Sequence, residues 1–277
     1  MQDLRALGQA TLDRIRYVLT DIDDTVTTDG RLPAASYDAL ERLQSAGLAV
    51  VPITGRPAGW CDMIARFWPV DAVVGENGAF YFSYDRKAHV MRRNYFASAA
   101  ERQKNRSRLE DIRARVLREV PGAAVASDQA YREADLAIDF CEDVPALPQG
   151  AIDRIVEIFQ SAGGQAKVSS IHVNGWFGHY DKLSMTRVMM RDKFDLDLDV
   201  SRDNVAFAGD SPNDEPMFAF FPVSIGVANV RDVLHRFKSL PGYVTKKRGG
   251  EGFVEFADHL LASRTMKNAP QLKAAAR

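Results

Sequence analysis

Charge of one sign, cysteine and long apolar runs are all scarce in this chain. Lysine and arginine number 36 against 37 aspartates and glutamates, so no global field draws it to nucleic acid or to an anionic membrane. The two cysteines, Cys61 and Cys141, lack both metal-site spacing and the density of a disulfide scaffold. They fit buried, reduced thiols and a cytoplasmic location. No apolar run approaches a membrane span. Met1 to Arg16 is amphipathic and mixed in charge, without the apolar centre of a signal peptide. No internal repeat or low-complexity linker stands out. What remains is a soluble globular composition, 46% hydrophobic and 26% charged. At 277 residues the chain is long for one core, which points to two domains or one domain with a large insertion.

The richest local feature is Asp21-Ile22-Asp23-Asp24-Thr25, directly after the apolar run Tyr17-Val18-Leu19. Three carboxylates crowd the end of an expected buried strand, which is costly without positive charge nearby. A hard divalent cation, Mg2+ above all, is the economical compensator, because it takes oxygen ligands and shares its shell with phosphate. Alone, the pentapeptide is equally an ordinary loop with a helix N-cap.

The rest of the chain supplies context. Leu48 to Ile53 is a second buried strand, ending at Thr54-Gly55-Arg56. Pro57 suits a first helical position, and Trp60, Met63, Ile64 and Phe67 recur at i, i+3, i+4, i+7, as for a helix packed on a sheet. Ala72-Val73-Val74 is a third strand, closed by Gly75-Glu76-Asn77-Gly78. Strands alternating with helices predict βαβ units and an α/β, doubly wound parallel sheet. The pattern then changes. Phe80–Phe82 and Val90–Arg93 read as antiparallel strands. A helix follows with Leu109, Ile112, Val116, Leu117 and Val120 as its apolar stripe, and Leu136, Ile138 and Phe140 alternate as a half-buried strand. Ala151 to Phe159 is a further helix and Val168 to Val173 a further strand. Residues 80–179 therefore form an inserted α+β domain, flanked by a core of 1–79 and 180–277. The parallel pattern returns after Lys182, with a buried strand at Val205–Ala208 that ends in Gly209-Asp210-Ser211-Pro212-Asn213-Asp214.

Four segments thus fall at one edge of the expected sheet, where ligands of such folds sit. They are Asp21/Asp23, Thr54-Gly55, Lys182 and Asp210/Asp214. Each meets a need of phosphoryl transfer. One carboxylate can attack phosphorus, and a second can protonate the leaving alcohol and later deprotonate water. A hydroxyl and backbone N–H groups can hold phosphoryl oxygens. A lysine and a metal can neutralise developing charge. Singly, each has a plainer reading. Thr54 and Asp214 can be helix caps, Lys182 a solvated lysine, and Arg56 part of a surface ion pair.

Taken in order, these segments resemble the four motifs of the haloacid dehalogenase superfamily of phosphohydrolases. Gly75-Glu76-Asn77-Gly78-Ala79 ahead of the insertion, Ser224–Asn229, and Tyr243-Val244-Thr245 followed by Glu251-Gly252-Phe253 resemble its Cof-type branch, which includes sucrose-, trehalose- and mannosylglycerate-phosphate phosphatases. The resemblance spans about residues 15–260. It implies that Asp21 is the nucleophile and a Mg2+ ligand. It implies that Asp23 is the general acid/base, with its backbone carbonyl on the metal. Thr54 and Gly55 would hold the phosphoryl group and Lys182 would steady Asp21. Asp210 would ligate Mg2+, with Asp214 in its outer shell and Asn213 near the phosphate.

The insertion then resembles a cap that selects substrate. Ser169 to Trp176 is its candidate selecting surface, with His172 and Asn174 as substrate contacts and Trp176 able to stack on a sugar. The plainer alternative is an exposed strand face with a hinge anchored by Trp176. The expected activity is Mg2+-dependent hydrolysis of a small phosphorylated metabolite, a sugar phosphate, with no nucleic-acid or membrane partner. A phosphosugar mutase and a catalytically silent binding protein are the alternatives.

Overall fold

The computed structural model describes residues 1–169 and 171–275, by backbone alone at 263 and from 265 onward. In chain order its elements are β1 (Gln2–Asp3), α1 (Gln9–Leu12), β2 (Tyr17–Thr20), α2 (Ala34–Ser45), β3 (Ala49–Pro52), α3 (Ala58–Phe67) and β4 (Val73–Gly75). There follow β5 (Phe80–Asp85), β6 (Val90–Tyr95), α4 (Ala99–Glu119), β7 (Ala124–Val125), β8 (Asp135–Asp139), α5 (Gln149–Ser161), β9 (Gln165–Val168) and β10 (His172–Trp176). The last are α6 (Lys182–Phe194), α7 (Leu198–Ser201), β11 (Val205–Gly209), α8 (Glu215–Phe220), β12 (Val223–Gly226), β13 (Tyr243–Val244) and α9 (Gly249–Ala275). No helix among the described residues is long and apolar enough to cross a membrane. Two compact units emerge, Met1–Ile53 with Phe67–Val73 and Arg187–Arg277, and Thr54–Arg66 with Val74–Thr186.

The first unit holds a six-stranded sheet ordered β1-β13-β12-β11-β2-β3, parallel at every pairing. The apolar runs of β2, β3 and β11 are buried because helices cover both faces of such a sheet. From β2 the chain passes to β3 on one side and later to β11 on the other, so the carboxyl end of β2 is a topological switch point. Thr20 is level with Ala208, and the Asp21 N–H donates to the Ala208 carbonyl at 2.8 Å. That register sets Asp21 beside Gly209-Asp210.

The second unit holds two sheets. The strand expected at 72–74 is β4, and it belongs to the three-stranded sheet β4-β5-β6 rather than to the parallel one. The hairpin β5–β6 is antiparallel, and the Asp85 carboxylate ties its turn by accepting from the Lys87 and Ala88 N–H groups. The sheet β7-β8-β10-β9 is antiparallel throughout. Leu136, Ile138 and Val173 pack in one core with Leu109, Ile112 and Val116 of α4 and Ile155 and Phe159 of α5.

Three expectations change here. The strand expected at 168–173 is instead the hairpin β9–β10, turned at Ser169, whose hydroxyl oxygen accepts the His172 N–H at 2.9 Å. The half-buried strand at 136–140 is buried on both faces, Asp135 and Asp139 included. And α3 buries Ala58, Cys61, Ile64 and Ala65, leaving Trp60, Met63 and Phe67 outward, Phe67 being 71% exposed. Close packing decides that face: a Cβ on Gly75 would lie 2.6 Å from the Cys61 sulfur, so only small α3 side chains fit there.

Candidate active site

In the first unit, Asp21, Asp210 and Asp214 each offer a carboxylate oxygen, and these oxygens all lie within 4.8 Å of one another. Asp21 and Asp214 are buried, and Asp210 nearly so at 9% exposed. The Asp210 oxygens accept from the Thr25 hydroxyl at 3.1 Å and the Asn229 amide at 2.9 Å. Asn229 also donates to the Asp24 carbonyl at 2.9 Å, which holds the Asp21–Thr25 loop against the end of β12. Asp24 itself adopts a left-handed φ of 54°, within an Asp's tolerance. Asp214 caps its own loop through N–H bonds from Asp210 at 3.1 Å and Ser211 at 3.3 Å. Glycine is required at 209, because a Cβ there would come within 2.5 Å of the Asp214 carboxylate. Asp23 and Asn213 lie in the same unit, both half-buried, with Asn213 accepting from the Ser211 hydroxyl.

Burial holds the Asp210 carboxyl well above the usual carboxylate range, and Asp21, Asp214 and Asp24 push it further up. Three buried carboxylates with crowded oxygens are unfavourable as they stand and suit a hard cation, whose ligands are oxygen and whose charge removes the repulsion. The donor set therefore fits a divalent metal.

The remaining candidates lie in the second unit. The Thr54 N–H donates to the Val74 carbonyl at 2.9 Å, and its hydroxyl accepts the Arg56 N–H at 3.0 Å, locking the turn after β3. Lys182 opens α6 and is 2% exposed, so it is not a solvated surface lysine. Arg56 is likewise buried, 3.8 Å from Glu142 and 4.0 Å from Asp128, rather than in a surface ion pair. His172 and Asn174 share one face of β10 with Trp176, all of them buried. His172 Nε2 lies 2.8 Å from the Glu142 carboxylate, and the Asn174 amide donates to Asp135 at 3.2 Å. The exposed strand face considered for them is therefore absent.

Sequence reasoning passed over two residues that organise this unit. Glu76 accepts four backbone N–H bonds, from Ala58 at 3.0 Å, Glu133 at 2.8 Å, Ala134 at 2.6 Å and Asp135 at 3.1 Å. Arg132 grips both Asp128 oxygens, at 2.9 and 3.0 Å, and both Asp135 oxygens, at 3.0 and 3.1 Å. Its Nη1 also donates to the Gly55 carbonyl at 3.1 Å. Burial, with Asp135 adding to it, pushes the Glu76 carboxyl from its ordinary 4.5 up to about 8, against the opposing pull of Arg132 and the N–H donors. The folded chain thus holds a proton that the unfolded chain has lost between those values, so stability falls as pH rises from about 5 to 8. Urea unfolding at pH 5, 6.5 and 8 measures the slope. Glu76→Gln is expected to flatten it while lowering stability throughout, since one acceptor oxygen is lost.

Residues 18–108 match the family model described as haloacid dehalogenase-like hydrolase. The chain is 26% identical to a phosphoglycolate phosphatase of Methanothrix thermoacetophila over 254 residues, 90% of this chain and 98% of the relative. Among solved structures, Thermoplasma acidophilum 0175 superposes with a TM-score of 0.67 at 18% identity, covering 89% of this chain and 98% of that one. Sucrose-phosphatase from Synechocystis, solved with sucrose and phosphate, gives 0.59 at 16% identity, covering 88% and 97%. These structural likenesses establish the haloacid dehalogenase-like α/β fold.

Proposed function

We propose that this hydrolase is a Mg2+-dependent phosphatase of a small phosphorylated metabolite, a sugar phosphate, working through an aspartyl-phosphate on Asp21. The carrying observation is the meeting of the Asp21, Asp210 and Asp214 carboxylates at the switch point of the parallel sheet. Asp21 and Asp210, with Asp214 behind them and the Asp23 carbonyl, would hold Mg2+. When bound, Mg2+ neutralises charge on the acids and on the phosphoryl oxygens.

An Asp21 oxygen attacks phosphorus as the ester P–O bond breaks, and Asp23 passes its proton to the leaving alkoxide. Asp23 then takes a proton from water, the water oxygen bonds to phosphorus, and the bond to Asp21 breaks to release phosphate. Thr54, the Gly55 N–H and Asn213 hold phosphoryl oxygens, and Lys182 offsets the negative charge of attack.

The relatives named above act on phosphoglycolate or sucrose phosphate by their names, and β10 favours the sugar for this chain. His172, Asn174 and Trp176 line one face, and Tyr180 stacks on Trp176 with ring centroids 5.6 Å apart. The Trp176 indole nitrogen and the Tyr180 hydroxyl are buried without hydrogen-bond partners among the described residues. An aromatic face with spare polar groups suits a polyol.

Phosphate release from an aryl phosphate, glucose 6-phosphate, trehalose 6-phosphate, sucrose 6-phosphate and phosphoglycolate tests both levels. Turnover should need Mg2+, stop with EDTA and return when Mg2+ is restored. Preference for phosphoglycolate would overturn the sugar assignment, and no release from any ester would overturn the phosphatase.

A further inference from the structure

The turn Gly75-Glu76-Asn77-Gly78 carries more conformational cost than its length requires. Glu76 and Asn77 are consecutive non-glycine residues in the left-handed region, at φ 44° and 55°, and Gly78 follows at 108°. Such strain persists only where the surroundings fix it, and it gathers at functional sites. Here the surroundings are two of the candidate segments. On one side the Asn77 N–H donates to the Thr54 carbonyl and the Glu76 N–H to the Arg56 carbonyl, each at 3.1 Å. On the other, Gly78 lies so close to the next segment that a Cβ would come within 2.0 Å of the Asp181 carbonyl oxygen and 3.1 Å of the Lys182 nitrogen. The turn therefore lies between the Thr54-Gly55 loop and the start of α6.

The Asn77 side chain occupies that position. It is 4% exposed, yet its amide nitrogen has no hydrogen-bond partner among the described residues. The amide faces Gly55, where a Cβ would sit 3.2 Å from both its nitrogen and its oxygen. A buried donor left unpaired is costly unless a ligand completes it. An Asn held left-handed solely for its backbone could be replaced by Gly without strain.

We infer that Asn77 is a substrate-binding residue, whose amide N–H donates to an oxygen of the phosphoryl group held by Thr54 and Gly55. The ligand class is a tetrahedral phosphate or phosphate monoester. This rests on the assignment of Thr54 and Gly55 as the phosphoryl cradle.

Titration of inorganic phosphate into the full chain with Mg2+, followed by calorimetry, tests it apart from turnover. Asn77→Gly should melt within a few degrees of wild type, since glycine accepts the backbone. Its phosphate affinity should fall about 10- to 100-fold, the scale of a hydrogen bond to a charged group. Asn77→Asp, which also tolerates the backbone, should bind phosphate more weakly still, because its charge opposes the anion. Wild-type affinity in Asn77→Gly overturns the inference; if that variant does not fold, wild-type affinity in Asn77→Asp does so. Asn77-dependent phosphate binding without turnover by wild type would uphold the inference and sink the phosphatase. A wild type that binds no phosphate sinks both.

Discussion

Asp21→Asn is expected to reduce turnover of an aryl phosphate by at least about 10³-fold while making the metal-free protein more stable. The two effects have one origin. Asn is close to isosteric with Asp, so the loop bonded to Ala208 is retained. The amide lacks the anionic oxygen that, in the proposed mechanism, attacks phosphorus, so no aspartyl-phosphate would form. It also removes one of three crowded carboxylates, and with it one cause of the raised Asp210 carboxyl. Relief of that repulsion should add about 1 kcal/mol without metal. With saturating Mg2+ the gain should shrink, because the variant binds the ion more weakly and draws less stability from it. Phosphate-release kinetics together with thermal melts in EDTA and in Mg2+ give all four values. Undiminished turnover would remove Asp21 from the mechanism, and a lower melt in EDTA would remove the crowding argument.

The acid cluster was legible in the sequence because its chemistry is local. Asp21 and Asp23 follow one apolar run, Asp210 and Asp214 another, and parallel strands bring such ends together. The hairpin β5–β6 and the α4 stripe were legible through periodicity, although Leu117 is 43% exposed. Periodicity misassigned α3, because hydrophobic spacing does not report the width of the groove it meets. Cys61 and Ala65 fit beside Gly75 where Trp60 and Phe67 do not. Periodicity also reported β8 as half-buried, since it reads a carboxylate as a solvent marker. Asp135 is buried because Arg132 and Asn174 answer its charge. Glu76 bonds N–H groups 57 to 59 residues away, and no local pattern announces such a partner.

Arg132→Ala should be the most destabilising single change in the second unit, at about 3–5 kcal/mol by urea unfolding. The Arg132 side chain is 1% exposed and meets side chains of Asp128 at 9% and Asp135 at 0%. Truncation leaves Asp135 buried without a counter-ion and Asp128 with only Arg56, 4.0 Å away, and it frees the Gly55 carbonyl. Arg132→Lys should recover little, because one ammonium cannot span two carboxylates and a carbonyl as the planar fork does. The decisive comparison is Arg132→Met combined with Asp128→Asn and Asp135→Asn. Removing the charges together should restore much of the loss, since the penalty lies in the orphaned anions rather than in the missing attraction. Phosphate affinity separates the second role. If Arg132 also sets the Gly55 carbonyl, the restored triple variant should keep its fold and still bind phosphate more weakly than wild type. A triple variant with both stability and affinity restored would confine Arg132 to charge balance.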